Sequence, residues 1–205
     1  MAQEQAAEGR VRASVPGVGT VARGTRERML RSALWEGLCA GAVGVAVMTA
    51  GEKAEQRLTG RPASYMPARV LERLTGLAER PGRQSDRLNW AMHFGQGALL
   101  GVLRSVMAHA GLRGPWSSSM FAVLRLTSDQ ILENATGAGA PPQTWPRSEL
   151  AVDLLHKTVY AFATGAVADA LAARSGPGPG QRHAALRPGR RPHIGPIPRE
   201  QAPGR

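Results

Sequence analysis

The segment ALWEGLCAGAVGVAVMTAG, residues 33–51, decides the fold class of this chain. It is 19 residues long and has one charged side chain, Glu36. A helix needs about 20 predominantly apolar residues to cross the hydrocarbon core of a bilayer, and the segment approaches that length. It is apolar on nearly all sides, whereas a surface helix of a water-soluble protein normally has a broad polar face. The segment therefore predicts a membrane-spanning helix.

Three further apolar segments follow it. LNWAMHFGQGALLGVLRSVMAHAGL occupies 88–112, a third segment begins at Pro115, and ELAVDLLHKTVYAFATGAVADALA occupies 149–172. None of them shows the alternation of apolar and polar residues that a strand requires. The sequence therefore predicts an all-α fold, a transmembrane antiparallel four-helix bundle. The predicted helices cover about 33–57, 88–111, 115–135 and 147–173, with a short amphipathic helix at 68–78 between the first two.

Basic tails flank this predicted helical domain, residues 33–173. The formal net charge is +11, of which residues 1–32 carry +3 and residues 174–205 carry +6. The C-terminal tail has Pro or Gly every few residues and no apolar period, so both tails are predicted to be disordered. Nucleic acid is not favoured as a partner, because the helical domain is nearly neutral. The tails are either solvated linkers or segments that contact anionic lipid headgroups.

Tryptophan and small residues also favour a membrane location. One tryptophan stands near the start of each apolar segment: Trp35, Trp90, Trp116 and Trp145. Indole prefers the boundary between water and lipid, because it is apolar with a single N–H group. Small residues recur four positions apart, as in Gly37 and Gly41, and this spacing lets helices in lipid approach each other closely.

A charged stripe in the third segment needs a separate explanation. Arg125, Asp129 and Glu133 lie four residues apart in VLRLTSDQILENATG, so they share one helix face. A charge at the centre of a lone membrane helix costs about 2.5–3.5 kcal/mol, more than neighbouring leucines return. The other predicted helices each have one polar stripe too. In an antiparallel bundle these stripes meet at similar heights, with Arg104 deeper than the rest. This predicts a shared polar interior made of Glu52, His93, Gln96, Arg104, Arg125, Asp129, Glu133, Asp153, His156 and Lys157.

Three hypotheses for this interior follow from its residue types. The first is a compensated network of ion pairs that fixes helix pairing. The second is a polar pathway for a proton or small solute. The third is a divalent-metal site or an enzyme, because Asp153 and His156 have the carboxylate-x-x-His spacing of helical metal sites. That hypothesis uses Glu52, His93, Asp129, Glu133, Asp153 and His156. The first two, which are non-enzymatic, are favoured, and no cofactor is predicted firmly.

The layout of the helical domain resembles that of small bacterial membrane proteins of the YagU-like kind. The resemblance covers roughly 33–172 and rests on AGAVGVAVMTAGEKAEQRLTGRP, WAMHFGQGALLG and DLLHKTVYAFATGAVADAL. It implies a bacterial inner-membrane location and leaves the chemistry open, as it does the formation of homo- or hetero-oligomers. A soluble helical interaction module is the alternative. The segment 52–87 has eight Lys or Arg residues. Basic loops tend to stay in the cytoplasm, but four spans with both tails cytoplasmic would put this segment outside.

Overall fold

Six helices make up most of the chain that the structure describes. The computed structural model describes residues 18–77 and 85–186. A 3-10 turn, Pro142–Thr144, precedes the fifth helix. The helices are α1 (Val18–Thr59), α2 (Met66–Thr75), α3 (Asp86–Ala110), α4 (Pro115–Ala135), α5 (Arg147–Ala173) and α6 (Pro179–Leu186). No strand occurs within residues 18–77 and 85–186, and the predicted all-α class is confirmed there.

The helix boundaries differ from the prediction at both ends of the chain. The chain divides into two units, residues 1–32 and residues 33–205, and α1 includes residues of both. Helix α1 begins at Val18, well before the predicted start at 33, and its segment TRERMLRSALW contains several strong helix formers and neither Gly nor Pro. Helix α6 lies within the segment predicted as the C-terminal tail. The rest of the predicted tails, residues 1–17 and 187–205, falls outside the described residues.

Local sequence signals set the ends of α3 and the start of α4. The Ser85 hydroxyl accepts a hydrogen bond from the backbone N–H of Leu88 and caps α3. Gly111 ends this helix with a φ of 105°, in the left-handed region that favours glycine. Pro115 is the first residue of α4, where its missing N–H group costs little. The turn between the two helices is therefore encoded locally.

Arg113 fastens this turn to the end of α5. Its Nε donates to the Ala108 carbonyl at 2.9 Å. Its Nη2 donates to the carbonyls of Ala172 at 2.9 Å and Gly176 at 2.8 Å. Helix C-termini leave carbonyl groups without partners inside the helix, and a guanidinium satisfies them well. One side chain thus joins the ends of two helices and the following turn.

Helices α1 and α3 run antiparallel. Glu36 and the ring of His109 are 2.9 Å apart near one end of the pair. Thr49 and the ring of His93 are 3.2 Å apart near the other end. We call the end that contains His93 the cavity end and the opposite end the far end.

Helices α4 and α5 continue this arrangement. Gln96 of α3 reaches Asp129 of α4 at the cavity end, and Arg104 of α3 reaches Ser118 of α4 at the far end. Helix α4 is therefore antiparallel to α3. Lys157, in the first half of α5, contacts Asp129 at the cavity end. Helix α5 therefore runs parallel to α3.

Glycines allow α1 and α3 to approach until their backbones touch. Gly41 lies against the backbone of Gly97, and Gly101 lies against Gly37 and Gly41. A Cβ atom at Gly41 would collide with the Gly97 carbonyl oxygen. We call these four glycines the glycine seam. Their contact is of the close backbone type that small residues permit between helices in lipid.

Burial is reversed relative to the core of an ordinary soluble protein. Most buried apolar residues are alanines, and the larger ones are Val45, Met48, Val70, Phe121 and Tyr160. No leucine or isoleucine is buried in residues 27–77 and 85–186. The buried polar side chains are Arg104, Ser105, His109, Ser117, Ser118, Arg125, Asp129, Lys157 and Thr164. The helices therefore turn small and polar residues towards one another.

Length and composition identify α1 as a candidate membrane span, by a test that a core helix of a soluble protein also passes. Within the described residues, only α1 is long and apolar enough to cross a bilayer, over residues 27–59. The other long helices carry the polar stripes noted above, which lower their mean hydropathy.

Replacing Gly41 with alanine should destabilise the protein by about 1–3 kcal/mol, because the added methyl group must push the α1 and α3 backbones apart. Gly51→Ala is the matched control, since no atom lies within 4 Å of a Cβ placed there. We expect that control to be neutral or slightly stabilising, as alanine favours the helix. Thermal unfolding followed by circular dichroism measures both variants. Equal effects at the two positions would show that the seam does not limit helix approach.

Candidate functional site

A cavity of about 410 Å³ opens at the cavity end. Helices α1, α2, α3, α4 and α5 all contribute to its walls. Nine of the ten residues predicted to share a polar interior line it: Glu52, His93, Gln96, Arg125, Asp129, Glu133, Asp153, His156 and Lys157. The structure therefore brings these nine residues together around one space. Helical periodicity and the antiparallel order of the segments were enough to group them.

Arg104 is the exception, because it belongs to the far end. It is completely buried and forms an ion pair of 2.9 Å with Asp169. Its Nη2 also donates to the Ser118 hydroxyl at 3.3 Å. Arg104 shares a face of α3 with Gln96, but eight residues separate them, which is about 12 Å along a helix. The sequence placed Arg104 on the same face and deeper than the other residues, but it did not identify Asp169, the acidic partner on α5.

An ion network crosses three helices at the floor of the cavity. Asp129 accepts a hydrogen bond of 2.7 Å from the Gln96 amide. The same carboxylate lies 3.2 Å from Arg125 Nε and 3.3 Å from Lys157 Nζ. Lys157 also contacts Asp153 at 2.8 Å. Two cations and two carboxylates therefore compensate each other's charge. Burial of any one of these charged groups without its partners would be energetically unfavourable.

Tyr160 lies beneath this network. The Arg125 guanidinium carbon is 5.1 Å from the centroid of the Tyr160 ring, within the range of a cation–π contact. The Tyr160 hydroxyl donates a hydrogen bond of 2.6 Å to the Gly97 carbonyl. The ring therefore holds the buried arginine and connects it to the glycine seam.

The rim of the cavity has its own ion pair. Arg61 lies in the loop after α1, 2.9 Å from Glu55 and 3.6 Å from Glu149. Its hydrogen bonds to Glu55 raise the pKa of the Arg61 guanidinium above its ordinary value. Sequence reasoning missed Arg61, Glu149 and Trp145 as lining residues. They lie in or next to loops, where no periodic pattern predicts which way a side chain points.

The residues of the metal hypothesis do not form a ligand set. In the described part of the chain, no three His, Cys, Asp or Glu side chains lie close enough to hold one ion. The hypothesis named Glu52, His93, Asp129, Glu133, Asp153 and His156. Lys157 contacts both Asp129 and Asp153, so its ammonium group stands where a shared cation would bind. His93 instead contacts Thr49.

Comparison with protein-family models, with curated proteins and with solved structures gives no match. The YagU-like resemblance therefore stays a prediction, and the chemistry of the cavity is the basis for a functional proposal.

Replacing Lys157 with methionine should destabilise the protein by about 3–5 kcal/mol, because it leaves buried carboxylates without their cation. Adding Asp153→Asn to that variant should restore part of the stability, since Arg125 and Asp129 then remain as a neutral pair. Chemical denaturation of the single and double variants measures both changes.

Lys53→Met is the control for this experiment. Lys53 lines the same cavity but is exposed and donates to Gln56 at 3.1 Å. Its replacement removes the same charge with little expected effect on stability. A loss as large as that of Lys157→Met would contradict the special role of the buried network.

Proposed function

We propose that this chain is a small integral membrane protein that binds a small polar solute. In this proposal α1, α3, α4 and α5 form an antiparallel four-helix bundle in the bilayer, and the cavity is the binding site. The observation that carries the proposal is the reversed burial, in which large apolar side chains point outward on all four helices.

Large apolar residues are exposed on all four helices. The most exposed on α3 is Leu99, at 68%. Examples on the four helices are Leu34, Val43, Val47, Leu99, Leu103, Met120, Val123, Ile131, Leu154, Leu155 and Phe162. A soluble monomer rarely exposes contiguous apolar surface beyond a few hundred Å². Contact with lipid chains would remove this surface from water.

The tryptophans support the same orientation. Trp35 and Trp116 lie near the far end, at the starts of the apolar part of α1 and of α4. Trp90 and Trp145 line the cavity at the opposite end. Helix α4 has 21 residues, a length of about 30 Å, which equals the thickness of the hydrocarbon core. Two tryptophans at each boundary are expected of a membrane bundle.

Charge compensation makes the buried groups compatible with lipid. Asp129 and Asp153 balance Arg125 and Lys157, and Asp169 balances Arg104. These groups lie between helices, where they meet each other rather than hydrocarbon chains. Their mutual pairing favours a binding role over acid–base catalysis, which needs a group free to exchange a proton with a substrate. The YagU-like resemblance adds the bacterial inner membrane as the proposed location.

Single cysteines test both parts of the proposal. Cys39 is exposed and is the one cysteine of the chain, so Cys39→Ser provides the background. We expect Thr49→Cys, in the cavity wall, and Gln143→Cys, in the exposed turn, to react with a small water-soluble methanethiosulfonate in opened native membranes. We expect Leu99→Cys to react only after detergent denaturation, because lipid covers it.

This experiment tests lipid contact and access of water to the cavity separately. Rapid labelling of Leu99→Cys in membranes, or release of the protein by alkaline carbonate, would contradict lipid contact. An unreactive Thr49→Cys beside a reactive Gln143→Cys would contradict a cavity that is open to water.

A further inference from the structure

The charges that line the cavity are unequal in number. Its cationic residues are Lys53, Arg61, Arg125 and Lys157. Its acidic residues are Glu52, Asp129, Glu133, Glu149 and Asp153. Among the Lys, Arg, Asp and Glu residues of the lining, the acidic side chains outnumber the basic ones by one. The electrostatic potential of a partly enclosed space follows such an excess, so the cavity attracts cations.

The deepest cations of the cavity are already engaged. Lys157 lies between Asp129 and Asp153. Arg125 lies beside Asp129 with its guanidinium carbon 5.1 Å from the Tyr160 ring centroid, and its Nε and Nη1 atoms are buried without a hydrogen-bond acceptor in the described part of the chain. At the rim, Arg61 pairs with acidic residues as described above. An anionic solute would have to compete with these carboxylates for each cation.

Two carboxylates of the cavity have no ion pair within the described residues: Glu52 and Glu133. Glu52 accepts a hydrogen bond of 3.0 Å from the Gln56 amide. Glu133 has an Oε2 atom that is buried and has no hydrogen-bond donor. An acceptor removed from water without a donor is destabilising, and no cation within the described residues pairs with the Glu133 carboxylate. Glu133 is therefore the strongest unmet acceptor in the cavity wall.

The remaining wall is aromatic and sulfur-rich. Trp90, Trp145, Met48, Met66 and Met92 all line the cavity. The Trp145 indole N–H donates to the Ala140 carbonyl at 2.8 Å, so the ring itself is what this residue offers to a solute. Aromatic faces attract cations, and thioethers adapt to apolar groups of varied shape. Such a wall suits an ammonium group that carries an apolar substituent.

We propose that the cavity binds a small organic cation, an amine in its protonated form. The ammonium group donates to Glu133, and the apolar substituent lies against Trp90, Trp145 and the methionines. This inference rests on the proposed function and names the class of solute that the same cavity takes.

The test uses the full chain in nanodiscs of uncharged lipid and three probes of matched shape. They are 2-phenylethylammonium, neutral 2-phenylethanol and anionic phenylacetate, and calorimetric titration gives each Kd. We expect the ammonium probe to bind at least about tenfold more tightly than the other two. Glu133→Gln should weaken its binding about ten- to hundredfold, the usual range for loss of a charged hydrogen bond. Trp145→Leu should weaken it about fivefold.

Glu27→Gln is the matched control, because it removes the same charge from an exposed side chain outside the cavity lining. It should leave the Kd of the ammonium probe unchanged. Glu52→Gln provides a second cavity variant in case Glu133→Gln does not fold, and it should also weaken binding. The relative Kd values of the three probes on the unmodified chain test the proposal without any variant.

Tighter binding of phenylacetate, equal binding of phenylethanol, no binding of any probe, or a Kd insensitive to both glutamate variants would overturn the proposal. Each result leaves the cysteine-labelling pattern intact if the protein is a membrane bundle with an open cavity. Failure of the cation hypothesis is therefore distinguishable from failure of the proposed function.

Discussion

The arrangement of the helices depends on the surroundings of one carboxylate, Asp129. It is 6% exposed and receives Gln96 from α3, Arg125 from its own helix and Lys157 from α5. A buried carboxylate is tolerated only when its neighbours compensate it, so each of these helices has one acceptable rotation and height relative to the others. The apolar surfaces alone would not select a register, because leucine and valine pack similarly at many positions. The polar contacts supply that specificity.

Close approach of the helices is the second condition for this network. The glycine seam brings α1 against α3, and Gly44 lies against the Thr164 side chain of α5. Polar side chains of moderate length can then reach across from one helix to the next. Larger residues at these positions would separate the helices and lengthen the ion pairs on which the register depends. The small residues therefore allow the close helix contacts that the buried ion pairs require.

Much of this arrangement could be predicted from the sequence, and the omissions have physical causes. The i, i+4 spacing of Arg125, Asp129 and Glu133 reflects a property of every helix, and it identified one wall of the cavity. Loop conformation has no comparable period, so Arg61 was missed. Arg104 was predicted to lie deeper than the other residues, but its partner Asp169 was not identified, because periodicity gives the face of a helix and not the residue that packs against it. Metal binding was suggested by residue types, but the position of Lys157 between two carboxylates is visible only in three dimensions.

The cavity ends inside the protein, and this has a consequence for transport. Below its floor lie Tyr160, Phe121 and Thr164, all at 0% exposure, and then Arg104 with its partner Asp169. Passage from the cavity to the far end would require Arg104, which is fully buried, to separate from Asp169, whose side chain is 20% exposed. If the cavity binds a solute as proposed, the conformation described can hold that solute but has no open path to the far end. A second conformation open to the far end would have to give Arg104 a new acceptor, because separation from Asp169 would leave a buried charge unpaired.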